Sequence, residues 1–526
     1  MFHIVLTHQI GNAGYRLFEA DSQVTVHLVD PHDEKEFTAQ VKRCHALLVD
    51  SETQLDQSVL ASAKNLKVIG RTGIRVRNID LDFATHQGIM VINTPQANAG
   101  SAAEHTLALM LALCRQIPES NANFAQKDWR VADLANKTLG IVGLGAIGRL
   151  VAAKAQAFDM QVLAMDPYVS EIVGRDLGVT LVDMDDLLAE SDIISLHTVV
   201  TEETVQLINQ ESIQKMKDGA FLINVASGRL INGDALAAAL KSQKLAGVAL
   251  DGVLGSSPED DPLCNLPNVI RTPSLATKSS EAIAAVSSEI ARNVLDALHG
   301  NAYRNVINMA WPVDGNVDDV QPYVDLARTI GHIQRQLVPE TIGRVEIEIS
   351  GDDMRPMVRA MAAGLLTGLL ETRADIVNHI NAPFIAKDCG LHITQEYGIG
   401  EADYSNLITC RAQWRDENGT TQQKTIAGVL FGGREPRIVQ VDEYRIEAKP
   451  EGTMLVLRNK DIPGVIGQVA TLLATYQVNI AEWRLGREAP GSEALSFINL
   501  DGEPPDGVMH ALSQAPAVTS VNLIHI

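Results

Sequence analysis

A glycine-rich segment at residues 137–148 constrains the fold of this 526-residue chain more than any other feature. Gly143, Gly145 and Gly148 are spaced as G-x-G-x-x-G and follow an apolar run that resembles a buried strand. In this spacing the first glycine forms a turn, the second lets backbone approach a pyrophosphate, and the third lets a helix pack on a strand. The segment therefore predicts a phosphate site at a helix N-terminus, where Ala146 and Ile147 present free N–H groups.

A carboxylate at the end of the next predicted strand supports dinucleotide binding. Residues 161–166 form a second apolar run that ends at Asp166. This acid lies about 20 residues beyond the glycines, where a ribose-binding carboxylate is expected. A carboxylate would repel a 2′-phosphate, so the sequence predicts NAD rather than NADP. The alternative is an ordinary glycine turn in an α/β fold.

The composition excludes several other classes of protein. The chain is 46% hydrophobic and 21% charged, as is usual for a globular protein. Its formal net charge of -22 argues against general binding to nucleic acid or anionic membranes. Five cysteines are scattered without a C-x-x-C pair, so we expect no disulfide framework, no metal site and a reducing cytoplasm. The N-terminus resembles a short strand rather than a signal peptide, and the apolar run at 106–114 is too short to span a bilayer.

The first 300 residues alternate apolar runs with helical stretches, which predicts parallel α/β sheets. We expect strands at 3–6, 25–29, 46–49, 68–70, 89–92, 192–198, 220–225, 245–251 and 268–272, and helices at 34–44, 58–64, 101–114 and 281–299. Ser101 is a plausible cap for the third of these helices, with Glu104 completing a capping box. Ligands of such sheets bind over the carboxyl ends of the strands.

The pattern changes near residues 311–316, where we place a linker. Residues 453–526 follow the order β-α-β-β-α-β, which is typical of a ferredoxin-like fold. We expect four units: residues 1–98 with 284–312, residues 99–283, residues 318–450 and residues 453–526.

Motifs along nearly the whole chain resemble those of one family. They lie at residues 66–71, 101–110, 143–148, 166–168, 196–198, 381–383 and 458–467. The chain resembles the long-form D-3-phosphoglycerate dehydrogenases. The resemblance implies a Rossmann-type NAD-binding domain inserted in a flavodoxin-like substrate domain, then an α+β intervening domain and a ferredoxin-like ACT domain. It also implies NAD-dependent oxidation of a phosphorylated 2-hydroxy acid in serine biosynthesis, a homo-oligomer (dimer or tetramer) and allosteric control by a serine-like effector.

The resemblance assigns the cofactor contacts to eleven residues. They are Gly143, Gly145, Ala146, Ile147, Gly148, Asp166, His197, Thr198, Val225, Ala226 and Asp251. It gives His105 and His197 structural or cofactor-side roles rather than the role of a base.

The resemblance also locates three catalytic positions, and all three hold serine. The family's arginine, glutamate and histidine fall on Ser227, Ser256 and Ser274, with Ser257 an alternative for the second. A hydroxyl cannot replace imidazole as a base near neutral pH, and a general base typically contributes about 10²- to 10⁴-fold. We therefore expect oxidation of phosphoglycerate to be lost or severely impaired.

The substrate side is altered as well. Asp50 stands where the family has an arginine, and the loop after Arg71, which usually carries glycine and aspartate, here contains Arg75 and Arg77. Together with Arg229 and Lys278 these arginines could bind a different anion, and Lys278 could act as a base of lowered pKa. The alternative is that several of them balance Asp50 and the acidic surface.

In the ACT-like segment the resemblance implies an amino-acid effector site at Asn459, Asp461 and Asn479. The alternative is that Asp461 caps the following helix and Asn479 lies in a turn. The whole sequence thus leaves three hypotheses: an NAD(H)-binding pseudo-dehydrogenase that senses or regulates, a dehydrogenase with a changed substrate, and a phosphoglycerate dehydrogenase with a rearranged site.

Overall fold

The chain forms four sheets in sequence. The computed structural model describes residues 1–126, 129, 131–254, 262–263, 266, 268–310, 317–338, 341–351, 354–372, 377–398, 404–505 and 507–526. Within these ranges no helix is long and apolar enough to cross a membrane.

The first sheet has five parallel strands in the order β2-β1-β3-β4-β5. Its elements are β1 (Phe2–Leu6), α1 (Asn12–Ala20), β2 (Val24–Leu28), α2 (Glu34–Val41), β3 (Ala46–Val49), α3 (Gln57–Ser62), β4 (Val68–Arg71), α4 (Leu81–His86), β5 (Met90–Ile92) and α5 (Ala99–Cys114). This strand order is flavodoxin-like, as predicted.

The second sheet has seven parallel strands in the order β12-β11-β10-β9-β6-β7-β8. Its elements are α6 (Ile117–Ala122), β6 (Thr138–Val142), α7 (Ala146–Gln156), β7 (Gln161–Met165), α8 (Glu171–Asp176), β8 (Thr180–Leu181), α9 (Met184–Glu190), β9 (Ile193–Leu196), α10 (Gln210–Lys215), β10 (Ala220–Asn224), α11 (Gly233–Lys241), β11 (Leu245–Asp251) and β12 (Val269–Thr272). The order reverses at β6, which confirms the Rossmann-type prediction. Helix α12 (Ser280–His299) then returns to the first sheet and packs on β4 at Gly70.

Helices α5 and α1 are among those that differ from the sequence prediction. Helix α5 begins at Ala99, and its N-cap residue makes no side-chain cap, so the predicted capping box at Ser101 is wrong. The Ser101 hydroxyl instead lies 2.9 Å from the hydroxyl of Ser279, at the start of α12. Helix α1 was not predicted; its Gly14 packs so tightly on α12 that a Cβ would lie 2.2 Å from the Ser287 carbonyl oxygen.

The C-terminal half contains two mixed or antiparallel sheets, in the orders β14-β13-β15-β16-β17-β18 and β20-β21-β19-β22. The elements are α13 (Val317–Leu337), β13 (Arg344–Ser350), α14 (Val358–Leu370), α15 (Ala382–Asp388), β14 (His392–Gly398), β15 (Leu407–Arg415), β16 (Thr421–Phe431), β17 (Glu435–Val441), β18 (Tyr444–Ala448), β19 (Thr453–Lys460), α16 (Val465–Thr475), β20 (Ile480–Arg487), β21 (Glu493–Leu500), α17 (Val508–Ser513) and β22 (Val518–His525). The last sheet has the predicted ferredoxin-like topology.

The two C-terminal sheets share one hydrophobic core. One face of the ferredoxin-like sheet contributes buried side chains that pack with the intervening segment: Met454, Val456, Leu495, Phe497 and Ile524. Polar contacts add to this packing, since Gln336 of α13 donates to the His525 carbonyl and accepts from the His525 N–H. The predicted linker at 311–316 lies outside the described residues.

Candidate cofactor and substrate site

The glycine turn has the backbone geometry that a pyrophosphate requires. Gly143 follows β6 with φ +96°, a conformation that favours glycine, and a Cβ on Gly148 would lie 2.2 Å from the Gly143 carbonyl oxygen. A Cβ on Gly145 would meet no atom within 4 Å. The first and third glycines are therefore required by packing, whereas the second leaves open space at the N-terminus of α7. Ala146 and Ile147 form the first turn of that helix.

The carboxylate of Asp166 lies beside this turn. Its Oδ2 accepts from the Leu144 N–H at 2.8 Å and its Oδ1 accepts from the Tyr168 N–H at 3.0 Å. Each carboxylate oxygen can accept a further bond, so the group remains able to bind a ribose hydroxyl. The open space at Gly145 and the placement of Asp166 fit a dinucleotide. Bound NAD would supply a hydride acceptor at its nicotinamide ring.

His197 and Thr198 follow β9 and pack under the glycine turn. A Cβ on Gly143 would lie 2.8 Å from the Thr198 nitrogen. His197 Nε2 lies 2.8 Å from the Ser195 hydroxyl oxygen, while its Nδ1 is buried with no partner among the described residues. Burial lowers the pKa of His197 to about 4, so the ring is neutral near pH 7. This geometry agrees with a structural or cofactor-side role.

The loops after β10 and β11 are held by side chains of their own strands. Asn224 accepts from the Ala226 N–H at 2.9 Å and donates to the Ser227 carbonyl at 2.8 Å, which fixes Val225 and Ala226 at the sheet edge. Asp251 ends β11, and its side chain is only 4% exposed.

The Asp251 carboxylate holds the loop that carries Ser274, one of the predicted catalytic positions. It accepts from the Thr272 hydroxyl at 2.6 Å and from the N–H groups of Leu275 and Ala276 at 2.7 and 2.8 Å. His105 of α5 completes the cluster, because its Nε2 lies 3.0 Å from Thr272 Oγ1 and 3.5 Å from Asp251 Oδ1. Sequence reasoning missed this cluster; the polar residues at the adjacent ends of β11 and β12 were the available signal.

Two of the three predicted catalytic positions lie within the described residues. Ser227 is half-buried, and its hydroxyl accepts a long bond from the Arg229 N–H at 3.4 Å. Ser274 is exposed and has φ +54°, in the left-handed region. Both lie at the carboxyl edge of the second sheet, after β10 and β12, as predicted. Ser256 and Ser257 lie outside the described residues.

The basic residues near the site are mostly exposed. Arg229 lies in a short 3-10 turn after β10, and Lys278 donates to the Pro273 carbonyl at 3.2 Å. Arg75 and Arg77 lie on the loop after β4, and both are exposed. None of these four side chains forms an ion pair with an acid of the described residues.

A second polar cluster, not predicted as such, lies at the carboxyl edge of the first sheet. His8 Nε2 is 2.9 Å from the Thr72 hydroxyl oxygen, Asp50 directly follows β3, and Arg71 ends β4. Burial lowers the pKa of His8, more than the nearby Asp50 carboxylate raises it, and Arg71 lowers it further. The sequence signal for this cluster was that a polar residue lies at, or shortly after, the end of each buried strand.

The predicted effector residues lie at opposite ends of the ferredoxin-like sheet. Asn459 pairs with Ala494 of β21, whereas Asn479 precedes Ile480, which pairs with Leu500 of the same strand. Six residues of strand correspond to about 20 Å. Asn479 donates to Asp501.

Asp461 does not cap the following helix, which corrects one alternative. The N-cap of α16 is Gly464, and no side chain caps it. Asp461 instead accepts from Arg487 Nη1 at 3.0 Å and from the Gly491 N–H at 3.1 Å, across the β20–β21 hairpin. These hydrogen bonds, followed by the Arg487 charge, lower the pKa of Asp461.

Comparison with known proteins agrees with this architecture. Residues 107–276 match the family model of the D-isomer specific 2-hydroxyacid dehydrogenase NAD-binding domain, and residues 319–442 match that of the D-3-phosphoglycerate dehydrogenase intervening domain. Among solved structures, D-lactate dehydrogenase from Escherichia coli aligns with a TM-score of 0.50 and 28% identity, covering 58% of this chain and 99% of that one. A glyoxylate reductase from Paecilomyes thermophila aligns with a TM-score of 0.51 and 28% identity, over 56% and 95% of the two chains.

Two full-length relatives narrow the class. D-3-phosphoglycerate dehydrogenase from Methanocaldococcus jannaschii is 34% identical over 536 residues, covering 100% of both chains. The enzyme of the same name from Synechocystis is 34% identical over 528 residues, covering 98% of this chain and 94% of the relative. The chain belongs to the D-3-phosphoglycerate dehydrogenase family, and its second sheet is the family's NAD-binding domain.

Proposed function

We propose that this protein binds NAD(H) but does not oxidise phosphoglycerate at an appreciable rate, and that it acts as a sensor or regulatory member of its family. One contrast carries the proposal. The space at Gly145 and the carboxylate of Asp166 are arranged for a dinucleotide, while Ser227 and Ser274 stand where the family resemblance expects an arginine and a histidine.

The chemistry of the edge residues supports this proposal. Hydride transfer from a 2-hydroxy acid requires a base for the hydroxyl proton and a cation for the substrate carboxylate. A serine hydroxyl supplies neither. Neutral His197 is buried under the glycine turn, and His105 is held against Thr272, so neither ring replaces the missing base.

The second candidate is an NAD-dependent 2-hydroxyacid dehydrogenase with a changed substrate or a rearranged site. The observation that favours it is the position of Lys278. Its Nζ bonds the Pro273 carbonyl, one residue before Ser274, so an amine lies on the loop that carries the inherited base position.

The proposal includes an ACT-type effector site shared between subunits. The separation of about 20 Å between Asn459 and Asn479 supports this arrangement, because one small amino acid cannot contact both within a single chain. A homo-oligomer would bring the two ends together. The proposal also includes a cytoplasmic location. It divides the chain into four units, which are residues 1–98 with 284–312, residues 99–283, residues 318–450 and residues 453–526.

The test is an NADH titration combined with a turnover panel. We expect saturable NADH binding, weaker binding of NADPH, and no NADH oxidation above background with glyoxylate, pyruvate or the 2-oxo form of 3-phosphoglycerate. The Methanocaldococcus jannaschii relative serves as the positive control for the assay. Robust turnover of the phosphorylated substrate would overturn the proposal, and turnover of another oxo acid would establish the second candidate.

A further inference from the structure

The carboxyl edge of the first sheet carries a carboxylate and a guanidinium that do not form an ion pair with each other. Asp50 directly follows Val49, the last residue of β3, and Val49 pairs with Arg71 at the end of β4. The Asp50 carboxylate raises the pKa of Arg71 against the larger, opposite effect of burial. Yet they form no ion pair, and no other cation of the described residues pairs with Asp50. The charges are therefore near one another but unpaired.

The Asp50 carboxylate is held in place by its own turn. Its Oδ1 accepts from the N–H groups of Glu52 and Thr53, both at 3.0 Å, and from the Thr53 hydroxyl at 3.1 Å. Its Oδ2 accepts no hydrogen bond from a described residue. Burial raises the pKa of Asp50, but these hydrogen bonds outweigh burial and lower it, so the group is an anion at neutral pH. One oriented oxygen is thus left for a donor.

The Arg71 guanidinium is held just as firmly on the neighbouring loop. Its Nη1 donates to the Thr72 carbonyl, and a Cβ on Gly73 would lie only 1.9 Å from that nitrogen. Its Nε is buried and has no partner among the described residues. Exposed Arg75 lies close enough to lower the pKa of Arg71, so a second positive charge lies near the Arg71 guanidinium.

We propose that this edge binds a zwitterionic α-amino acid, with its ammonium group on Asp50 and its carboxylate on Arg71 and Arg75. The inference rests on the proposed function, in which the cleft no longer serves oxidation of a phosphorylated hydroxy acid. An ammonium supplies the donors that Asp50 Oδ2 lacks, and a carboxylate supplies the acceptors that the arginines lack. A phosphorylated hydroxy acid has no cation to place on Asp50, and its negative charge is repelled there.

The test compares ligands that differ only in the group facing Asp50. Alanine and lactate, each as both enantiomers, are titrated calorimetrically into the NADH-saturated full-length protein. We expect one enantiomer of alanine to bind at least about tenfold more tightly than the matching lactate, because the ammonium group adds a positive charge opposite the Asp50 carboxylate whereas the lactate hydroxyl is neutral. Asp50→Asn should abolish that preference, and Asp50→Arg should reverse it in favour of lactate.

A matched control separates this site from the rest of the chain. Asp30 lies two residues beyond the edge strand β2 and also holds its own turn, with Oδ1 accepting from the His32 N–H at 2.9 Å, so Asp30→Asn should leave alanine binding unchanged. A preference for alanine over lactate that persists in Asp50→Asn, or lactate binding as tight as alanine binding in the unmodified chain, would overturn the inference. Absence of NADH binding, measured in the same samples, would instead overturn the proposed function.

Discussion

The cofactor turn and the substrate-side edge are both loops at the carboxyl ends of parallel strands, but they are built from different parts of the chain. The cofactor turn is made of backbone: a side chain on Gly143 would clash with the backbone of His197 and Thr198, and one on Gly148 would clash with the Gly143 carbonyl. The predicted catalytic positions depend on side chains, and Ser227 and Ser274 are half-buried and exposed, respectively. A site built from backbone is preserved by the fold itself, whereas a site built from side chains can change while the fold stays intact.

The largest effect should come from restoring the side-chain site. In the combined variant Ser227→Arg, Ser256→Glu and Ser274→His, we expect phosphoglycerate turnover to rise by about 10²-fold or more, because a base with its partner and a substrate clamp are returned. Histidine tolerates the left-handed conformation at position 274 better than most residues. Steady-state NADH formation measures the effect.

The triple serine-to-alanine variant is the control for this gain. It should behave like the unmodified protein. If alanine at these positions removed an existing activity, the serines themselves would be catalytic and the contrast between the two regions would fail.

A smaller effect concerns the stability of the cofactor side. The folded-state pKa of His197 is about 4, below its ordinary value of 6.5, so the unfolded chain binds the proton more readily between these values. Its contribution is therefore fully present above about pH 6.5 and is lost as the pH falls toward 4, by at most about 3 kcal/mol. The free energy of unfolding is measured across this pH range for the unmodified chain and for His197→Gln. The difference in unfolding free energy between the two proteins should become smaller as the pH falls.

The smallest effects should distinguish two glycines of the same turn. Gly148→Ala should lower stability by about 1–3 kcal/mol, because its Cβ would overlap the Gly143 carbonyl oxygen. Gly145→Val should leave stability nearly unchanged, since the space beside it is open, yet it should weaken NADH binding about tenfold by occupying the path of the pyrophosphate. Thermal unfolding and NADH titration of both variants provide the comparison. If Gly145→Val lost as much stability as Gly148→Ala, the space at Gly145 would be part of the packing rather than space kept for a ligand.

Much of the fold follows from sequence pattern, because buried parallel strands are continuous apolar runs that end in polar residues. The strands at 46–49 and 245–251 were predicted to the residue. Helix α1 was not predicted; glycine is a poor helix former in an isolated segment, but Gly14 is needed here for close contact with Ser287. The start of α5 was misplaced because the Ser101 hydroxyl is used by Ser279 rather than by the helix.

The candidate site was less accessible from sequence. Motif spacing located Gly145, Asp166 and the serine positions, since these depend on local order along the chain. It could not reveal that Asp50 and Arg71 lie near one another without pairing, or that Asp461 bonds the hairpin at Arg487, because both depend on how separate strands and loops are positioned.

The shared core of the two C-terminal sheets has a consequence for how this architecture can be recombined. Phe497 and Ile524 are fully buried against the intervening segment, although they belong to the ferredoxin-like sheet. Transferring that sheet alone to another enzyme would expose an apolar face on the transferred sheet and a second apolar face on the truncated protein. The two units are therefore consecutive in sequence but depend on one shared core. A fusion or truncation that keeps this core must place its boundary before α13.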